Sequence, residues 1–134
     1  MKNHLKTVLI VEDTDPCATT LEIALTQITG LAVRVVTSTE EAQTVLNADN
    51  GVCAVVTDVH LPDGSGLDLI QWVRSRVAWS RLPIVVITGD SDPDTNRIVL
   101  RLGADAFFMK PFSPSEVRQK LEDLIDAAPT PPVH

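Results

Sequence analysis

The sequence is poor in three features: cysteines, basic residues and long apolar runs. Only two cysteines occur among the 134 residues, Cys17 and Cys53, and their separation matches neither a metal-ligand motif nor a disulfide framework. Two free thiols in a reducing compartment are therefore expected. No apolar run approaches the ~20 residues of a membrane helix, and the first one ends at Glu12, too early for a signal peptide. We expect a cytoplasmic protein with no membrane partner.

The shortage of basic residues restricts the partners further. The chain has 18 acidic residues against 11 basic ones, a formal net charge of −7 and a pI near 4.7. Such a negative field repels phosphate backbones, so no direct nucleic-acid partner is expected. The stretch 74–81 is locally basic and aromatic, but a solvated helix end with a packed Trp79 is the preferred interpretation.

The chain does have the length and apolar content of one folded domain. It is 44 % hydrophobic over 134 residues, enough to bury a core without disulfides or a structural metal. We assign residues 1–127 to a single domain. Residues 128–134 are rich in proline and are predicted to form a tail or linker.

Short β-branched runs alternate with helical patterns along the domain. Five runs are predicted as strands, at 7–11, 31–36, 52–57, 83–88 and 106–109. Asp15 is predicted to cap the first helix, and serines 38 and 113 to open capping boxes. Alternation of this kind implies a parallel sheet with helices on both faces, and right-handed crossovers make it doubly wound. The predicted fold class is therefore α/β, a single (βα)5 domain.

Acidic residues follow the ends of predicted strands. Glu12 and Asp13 come after the first strand and Asp58 after the third, and these ends meet at the edge where open α/β sheets bind ligands. Like charges about 4 Å apart repel by roughly 4 kcal/mol at an effective dielectric constant of 20. Protonation, a lysine or a divalent cation could relieve that repulsion. Asp63, by contrast, is interpreted as a turn or cap residue.

A lysine and a hydroxyl complete the same edge. Lys110 ends the fifth strand and precedes Pro111, an arrangement compatible with a cis bond, and Thr88 ends the fourth strand. The acids suit Mg²⁺, which leaves the ammonium and the hydroxyl to hold an anion beside the metal. This combination suits a phosphoryl group carried by a carboxylate.

Taken in order, these residues resemble the receiver domain of two-component response regulators. The resemblance covers about residues 6–127. It implies the flavodoxin-like strand order 2-1-3-4-5 and a phosphorylatable signalling receiver, with no catalysis beyond taking and losing a phosphoryl group. Its motifs are Glu12-Asp13, Asp58 with Leu61-Pro62 and Gly66, Thr88, Gly103-Ala104 and Lys110-Pro111-Phe112.

The resemblance implies roles for the acidic residues. Asp58 would accept a phosphoryl group from a sensor histidine kinase or a phosphotransfer protein. Asp13, Asp58 and the backbone carbonyl of His60 would bind Mg²⁺, with Glu12 acting through a metal-bound water. Glu12 replaces the aspartate most often found there, and its longer side chain is expected to keep that role.

The resemblance also implies a switch. Lys110 would contact the phosphoryl oxygens and Thr88 would move to bond one of them. Phe107 stands where the family has an aromatic residue that turns inward as Thr88 moves. Because Phe107 lacks the tyrosine hydroxyl often found there, its coupling would depend on packing. The expected output partner is a downstream protein or an effector domain beyond this sequence, and a phosphorylation-dependent homodimer is also expected.

Three other interpretations use the same residues. A phosphohydrolase of the haloacid dehalogenase type would need an aspartate two residues after its nucleophile, where His60 stands. A flavin- or dinucleotide-binding module would need a glycine- or hydroxyl-rich loop after the first strand, but residues 12–15 are acidic. A receiver fold kept only as a docking surface would not need Asp58, Thr88 and Lys110 together.

Overall fold

A five-stranded parallel sheet forms the centre of the molecule. The computed structural model describes residues 6–48, 51–89 and 92–127, so the predicted tail, 128–134, lies outside the described residues. The strands are Lys6–Val11 (β1), Leu31–Val36 (β2), Val52–Asp58 (β3), Ile84–Thr88 (β4) and Ala106–Met109 (β5). Their order across the sheet is β2-β1-β3-β4-β5, which confirms the predicted doubly wound fold.

Helices follow all five strands. They are Asp15–Thr26 (α1), Thr39–Ala48 (α2), Gly66–Arg74 (α3), Pro93–Leu102 (α4) and Pro114–Ala127 (α5). Between β3 and α3, the two-residue strands His60–Leu61 and Gly64–Ser65 pair antiparallel. We call this segment the loop hairpin; it was not predicted. Across the described ranges, no helix combines the length and apolarity needed to cross a membrane.

The sheet separates two apolar cores. Successive strand side chains point to opposite faces, so on β4 Ile84 and Val86 join one core while Val85 and Ile87 join the other. Helices α1 and α5 cover the second of these cores, and α2, α3 and α4 cover the first. Strands buried on both faces read as uninterrupted apolar runs, which explains why β1 and β3 were visible in the sequence.

The first helix begins one residue earlier than predicted. Thr14 is its N-cap, with an extended backbone (φ −99°, ψ 114°), and Asp15 already lies in the first turn. The predicted cap at Asp15 is therefore wrong by one residue. In the first turn its carboxylate still interacts favourably with the helix dipole.

The four other helices begin at side-chain caps. In each case an oxygen accepts a hydrogen bond from a backbone N–H that has no partner within the helix. The pairs are Ser38 Oγ with Glu41 N (3.1 Å), Ser65 Oγ with Leu67 N (3.0 Å), Asp92 Oδ1 with Asp94 N (2.9 Å) and Ser113 Oγ with Glu116 N (3.3 Å). Both predicted capping serines are thus confirmed as caps.

Arg74 ties the end of α3 to the segment that enters β5. Its guanidinium donates to the carbonyl of Gly103 from Nε (3.0 Å) and Nη2 (2.8 Å), and to the carbonyl of Trp79 at 2.9 Å. Asp105 Oδ2 lies 3.2 Å from Arg74 Nη2 and also accepts from Ile84 N at 2.8 Å. This network fixes the starts of β4 and β5.

Arg76, in the same basic stretch, lies against two aromatic rings. The rings of Trp72 and Trp79 lie 5.2 Å apart, and both residues are partly buried against the core. The Arg76 guanidinium lies over Trp72, 4.7 Å from the ring centroid. A packed Trp79 at a helix end is therefore confirmed.

Gly66, the first residue of α3, lies directly against the end of β3. A Cβ atom at this position would stand 2.0 Å from the carbonyl oxygen of Asp58. The Gly66 N–H donates to the carbonyl of Val59 at 2.7 Å. The close approach closes the base of the loop hairpin, and only glycine permits it.

We predict that Gly66→Ala destabilises the protein. The added methyl group must displace backbone rather than a flexible side chain, so a loss of about 1–3 kcal/mol in the free energy of unfolding is expected. Urea unfolding measures it. Gly64→Ala is the matched control, because its Cβ would meet only Thr39 Oγ1, at 4.0 Å. Equal stabilities of the two variants would contradict the prediction.

Candidate functional site

The parallel register brings the predicted acids together. Val11 on β1 is the Cα partner of Thr57 on β3, so the residues that follow them, Glu12 and Asp58, leave the sheet side by side. Both are buried, with exposures of 2 % and 6 %. One carboxylate oxygen from each of Glu12, Asp13 and Asp58 lies within 4.8 Å of the others. The predicted proximity of these three acids is confirmed.

Lys110 joins two of these carboxylates. Its Nζ lies 2.8 Å from Glu12 Oε1 and 2.7 Å from Asp58 Oδ2. Lys110 directly follows Met109, the Cα partner of Thr88, and its backbone N–H donates to the Thr88 carbonyl at 2.8 Å. The Lys110–Pro111 peptide bond is cis.

The surroundings of Lys110 keep its side chain protonated. Partial burial by itself would lower the pKa, because it removes water from the ammonium. The hydrogen bonds and charges of Asp58 and Glu12 outweigh this effect and raise the pKa of Lys110 above its ordinary value. Lys110 is therefore a fixed positive charge at neutral pH.

Thr88 lies on β4, the strand next to that of Asp58, and Phe107 lies on β5, one strand further. Asp58 is the Cα partner of Ile87, and the next residue, Thr88, is fully buried at the end of β4. Phe107 is the partner of Val86 and is partly buried on the face covered by α2, α3 and α4. The two residues thus lie in adjacent strands near the site, and the switching role of Phe107 remains a prediction.

The loop hairpin begins with contacts to Asp58. The N–H of His60 donates to Asp58 Oδ1 at 3.2 Å, and the Thr57 hydroxyl donates to the Asp58 carbonyl at 2.9 Å. His60 is exposed, consistent with a rim residue that contributes its backbone rather than its ring.

Cys17 contacts the site in a way that sequence analysis missed. Burial raises the pKa of its thiol to about 12, with further increases from its hydrogen bond to Glu12 and the charge of that residue. The thiol therefore remains protonated at neutral pH and serves Glu12 as a weak donor. The only indication of this contact in the sequence is the position of Cys17 in the first turn of the helix that follows Glu12. As expected, Cys17 and Cys53 carry free thiols.

The donor set fits a hard divalent cation. The cluster consists of carboxylates alone, the ligands that Mg²⁺ and related ions prefer. Three carboxylates face one ammonium, so two formal negative charges remain unbalanced. Asp13 is exposed, which leaves an approach from solvent open on that side.

A doubly wound α/β domain with this acid–lysine edge defines a class of signalling domain. The family model for the response regulator receiver domain matches residues 8–122, so the chain belongs to the response regulator receiver domain family. Domains of this family are signalling modules of two-component systems. The cluster of Glu12, Asp13 and Asp58 fits their phosphorylation site and divalent-metal pocket.

Two curated relatives span most of the chain. The transcriptional regulatory protein GltR of Pseudomonas aeruginosa is 33 % identical over 128 residues, which cover 96 % of this chain and 52 % of GltR. The chain thus spans about half the length of that relative. A chemotaxis protein CheY homolog of Campylobacter jejuni is 26 % identical over 117 residues, covering 87 % of this chain and 90 % of the homolog.

Solved structures agree with this fold. A putative response regulator from Chloroflexus aurantiacus matches with a TM-score of 0.81 at 33 % identity, covering 90 % of this chain and 98 % of that one. The Mn²⁺-bound form of response regulator Rcp1 also matches with a TM-score of 0.81, covering 95 % of this chain and 99 % of its own. At 17 % identity, the second match supports the fold alone.

We predict that Lys110→Met lowers stability by about 1–3 kcal/mol, because two buried carboxylates lose a charged hydrogen-bond donor. Lys110 has a raised folded pKa, so its contribution is complete below its unfolded pKa of about 10.4 and is lost as pH rises through the folded value. Urea unfolding of both proteins at increasing alkaline pH measures the difference between them.

The exposed Lys120 on α5 provides the control. Lys120→Met removes the same charge from a solvated position, so its stability should stay near that of the original protein. Lys110 would not be the counter-charge if Lys110→Met and the original protein became equally stable already well below pH 10.4.

Proposed function

We propose that this domain is a phosphorylation-dependent switch whose phosphoacceptor is Asp58. The observation that carries the proposal is the position of Lys110 Nζ, within hydrogen-bond distance of both Glu12 and Asp58. An ammonium held at the acceptor carboxylate can stabilise the negative charge on the oxygens of an incoming phosphoryl group. The donor is the phosphohistidine of a sensor kinase or of a phosphotransfer protein.

The transfer exchanges one bond to phosphorus for another. A carboxylate oxygen of Asp58 forms the new O–P bond while the N–P bond of the phosphohistidine breaks, and the electron pair returns to the imidazole nitrogen. Lys110 stabilises the negative charge of the transferring group. The fully buried Thr88 offers its hydroxyl to one phosphoryl oxygen. Hydrolysis of the resulting acyl phosphate resets the domain, so its only chemistry is to take and lose this group.

The carboxylates would hold the metal that assists this transfer. Asp13, Asp58 and the His60 carbonyl would be its ligands, and Glu12 would act through a water. When bound, Mg²⁺ would neutralise charge on the transferring phosphoryl oxygens. Lys110 remains necessary because it balances one of the negative charges that the three carboxylates contribute.

The output is a repacking of the surface formed by α4, β5 and α5. Phosphorylation replaces the single negative charge of the Asp58 carboxylate with about two negative charges on a phosphoryl group, next to Thr88 and Lys110. Movement of Thr88 toward the phosphoryl group leaves space that Phe107 fills by turning inward, through packing alone. Phosphorylation can shift the population only if the two arrangements have similar free energies.

Cytoplasmic proteins are the proposed partners. A histidine kinase or a phosphotransfer protein supplies the phosphoryl group, and a downstream protein, an effector domain or a second phosphorylated copy receives the signal. Residues 1–127 form the receiver and residues 128–134 are proposed as its tail or linker. The net charge of −7 disfavours direct contact with nucleic acid.

We predict that acetyl phosphate with Mg²⁺ adds the mass of one phosphoryl group to the protein, and that Asp58→Asn abolishes the gain. Intact-protein mass spectrometry measures it. Asp68→Asn is the matched control, because Asp68 is an exposed aspartate on α3. No mass gain from acetyl phosphate or from phosphoramidate would overturn the proposal. Sustained turnover of a general phosphatase substrate would favour a phosphohydrolase instead.

We also predict that a phosphoryl mimic changes the α4–β5–α5 surface. Beryllium fluoride with Mg²⁺ should shift the backbone amide resonances of Phe107 and of residues in α4, well beyond the acidic cluster, because the added charge biases a two-state surface. Two-dimensional NMR spectra record this, with Asp58→Asn as the unresponsive control. Shifts confined to the residues around Asp58 would exclude the proposed switch.

A further inference from the structure

Asp63 binds a helix that begins 24 residues earlier in the chain. It lies at the exposed turn of the loop hairpin, between its two short strands. Its Oδ1 accepts from the Thr39 N–H at 2.9 Å, and its Oδ2 accepts from the Thr39 hydroxyl at 2.7 Å and from the Glu40 N–H at 3.0 Å. Three donors at the start of α2 therefore converge on one carboxylate.

The physical reasons for this contact are local. The first N–H groups of a helix have no partner within the helix, and the helix dipole favours a negative charge beside them. The Thr39 hydroxyl, followed by the Thr39 and Glu40 N–H groups, lowers the pKa of Asp63 to about 2. Asp63 is therefore ionised throughout the neutral range.

Helix α2 has its own cap without Asp63. Ser38 Oγ accepts from the Glu41 N–H at 3.1 Å, and Glu41 Oε1 accepts from the Thr37 N–H at 2.9 Å and from the Thr37 hydroxyl at 2.7 Å. The sequence predicts a capping box here: the Ser38 half of it forms, while Glu41 accepts from Thr37, one residue before the cap. What the contact from Asp63 adds is a fixed position for the loop hairpin.

The hairpin is held at both of its ends. At its base, Gly66 packs on the Asp58 carbonyl and donates to the Val59 carbonyl. At its turn, Asp63 is held by α2. His60 lies between these two points, paired with Ser65.

The segment that holds Asp63 also contacts the other acidic loop. The carbonyl of Val36, at the end of β2, accepts from the Glu12 N–H at 3.0 Å. Thr39 follows only three residues later. Residues 36–40 thus connect the loop that carries Glu12 and Asp13 with the loop hairpin that follows Asp58.

We propose that Asp63 is a positioning residue for the cation site. By binding α2 it fixes the loop hairpin, and with it the His60 backbone, at a set distance from the carboxylates of Asp13 and Asp58. The inference rests on the proposed function in one respect, the assignment of the His60 carbonyl as a ligand.

The first test is the affinity for Mn²⁺, measured from the electron paramagnetic resonance signal of the free ion. Groups that orient metal ligands from outside change affinity by 10–100-fold, and a more distant anchor should change it less, so Asp63→Ala is expected to weaken binding about 3–10-fold. The Mn²⁺ affinity of Asp63→Asn should lie between those of Asp63→Ala and the original protein, because the amide oxygen of asparagine can accept some of the hydrogen bonds from Thr39 and Glu40. The control is Glu41→Gln, which alters a carboxylate at the same helix end without touching the hairpin, and should bind like the original protein.

The second test needs no metal. In the metal-free protein, hydrogen exchange of the His60 and Gly66 amides followed by NMR should be faster in Asp63→Ala than in Glu41→Gln, because only the first substitution releases the hairpin turn. Thr39→Ala removes the hydroxyl that donates to Asp63 from α2. Combined with Asp63→Ala, it should add little to the loss of Mn²⁺ affinity, as expected for residues in contact.

The outcomes distinguish a role of Asp63 in positioning the cation site from a role in α2 stability alone. Equal Mn²⁺ affinity and equal amide exchange in Asp63→Ala and the original protein would overturn the inference. Equal losses in Asp63→Ala and Glu41→Gln would also overturn it, since Asp63 would then act only on α2 stability. Normal Mn²⁺ responses in a protein that takes no phosphoryl group would refute the proposed function and leave the positioning role intact.

Discussion

The ion pairs of Lys110 with Glu12 and Asp58 are the interaction on which the site depends. Two carboxylates cannot stay ionised side by side at a buried sheet edge without a positive charge between them. One ammonium, 2.8 Å from the first and 2.7 Å from the second, makes the arrangement stable. It also balances only one of the three negative charges, so the remaining carboxylate charge favours a divalent cation at the site.

This balance requires the register of three strands to be correct at once. Glu12 comes from β1, Asp58 from β3 and Lys110 from β5, and a shift of one residue in any strand would turn its side chain to the opposite face. The two apolar cores prevent such a shift, because each strand inserts alternate side chains into both of them. Packing on both faces of the sheet thus determines the geometry of the polar edge.

The parts of the fold that follow from local periodicity could be predicted from the sequence. The five strands follow from apolar runs, the capping serines from the capping-box spacing, and the meeting of Glu12, Asp13 and Asp58 from the rule for parallel strand ends. The loop hairpin could not be predicted, because its two-residue strands are too short to show alternation. The bonds from Asp63 to Thr39 join residues distant in sequence, and nothing local marks them. The cap of α1 differs from the prediction by one residue because Thr14 and Asp15 are both residue types that favour the N-cap, and Thr14 holds that position without a side-chain cap bond.

The Arg74 network gives the molecule a mechanical asymmetry. Its bonds to Gly103 and its ion pair with Asp105 anchor the junction of α4 and β5 at the end of the sheet remote from the acids. The displacement of α4 proposed for the phosphorylated state would be restrained at this junction, so its amplitude would be largest at Pro93, the end of the helix nearest the carboxylates.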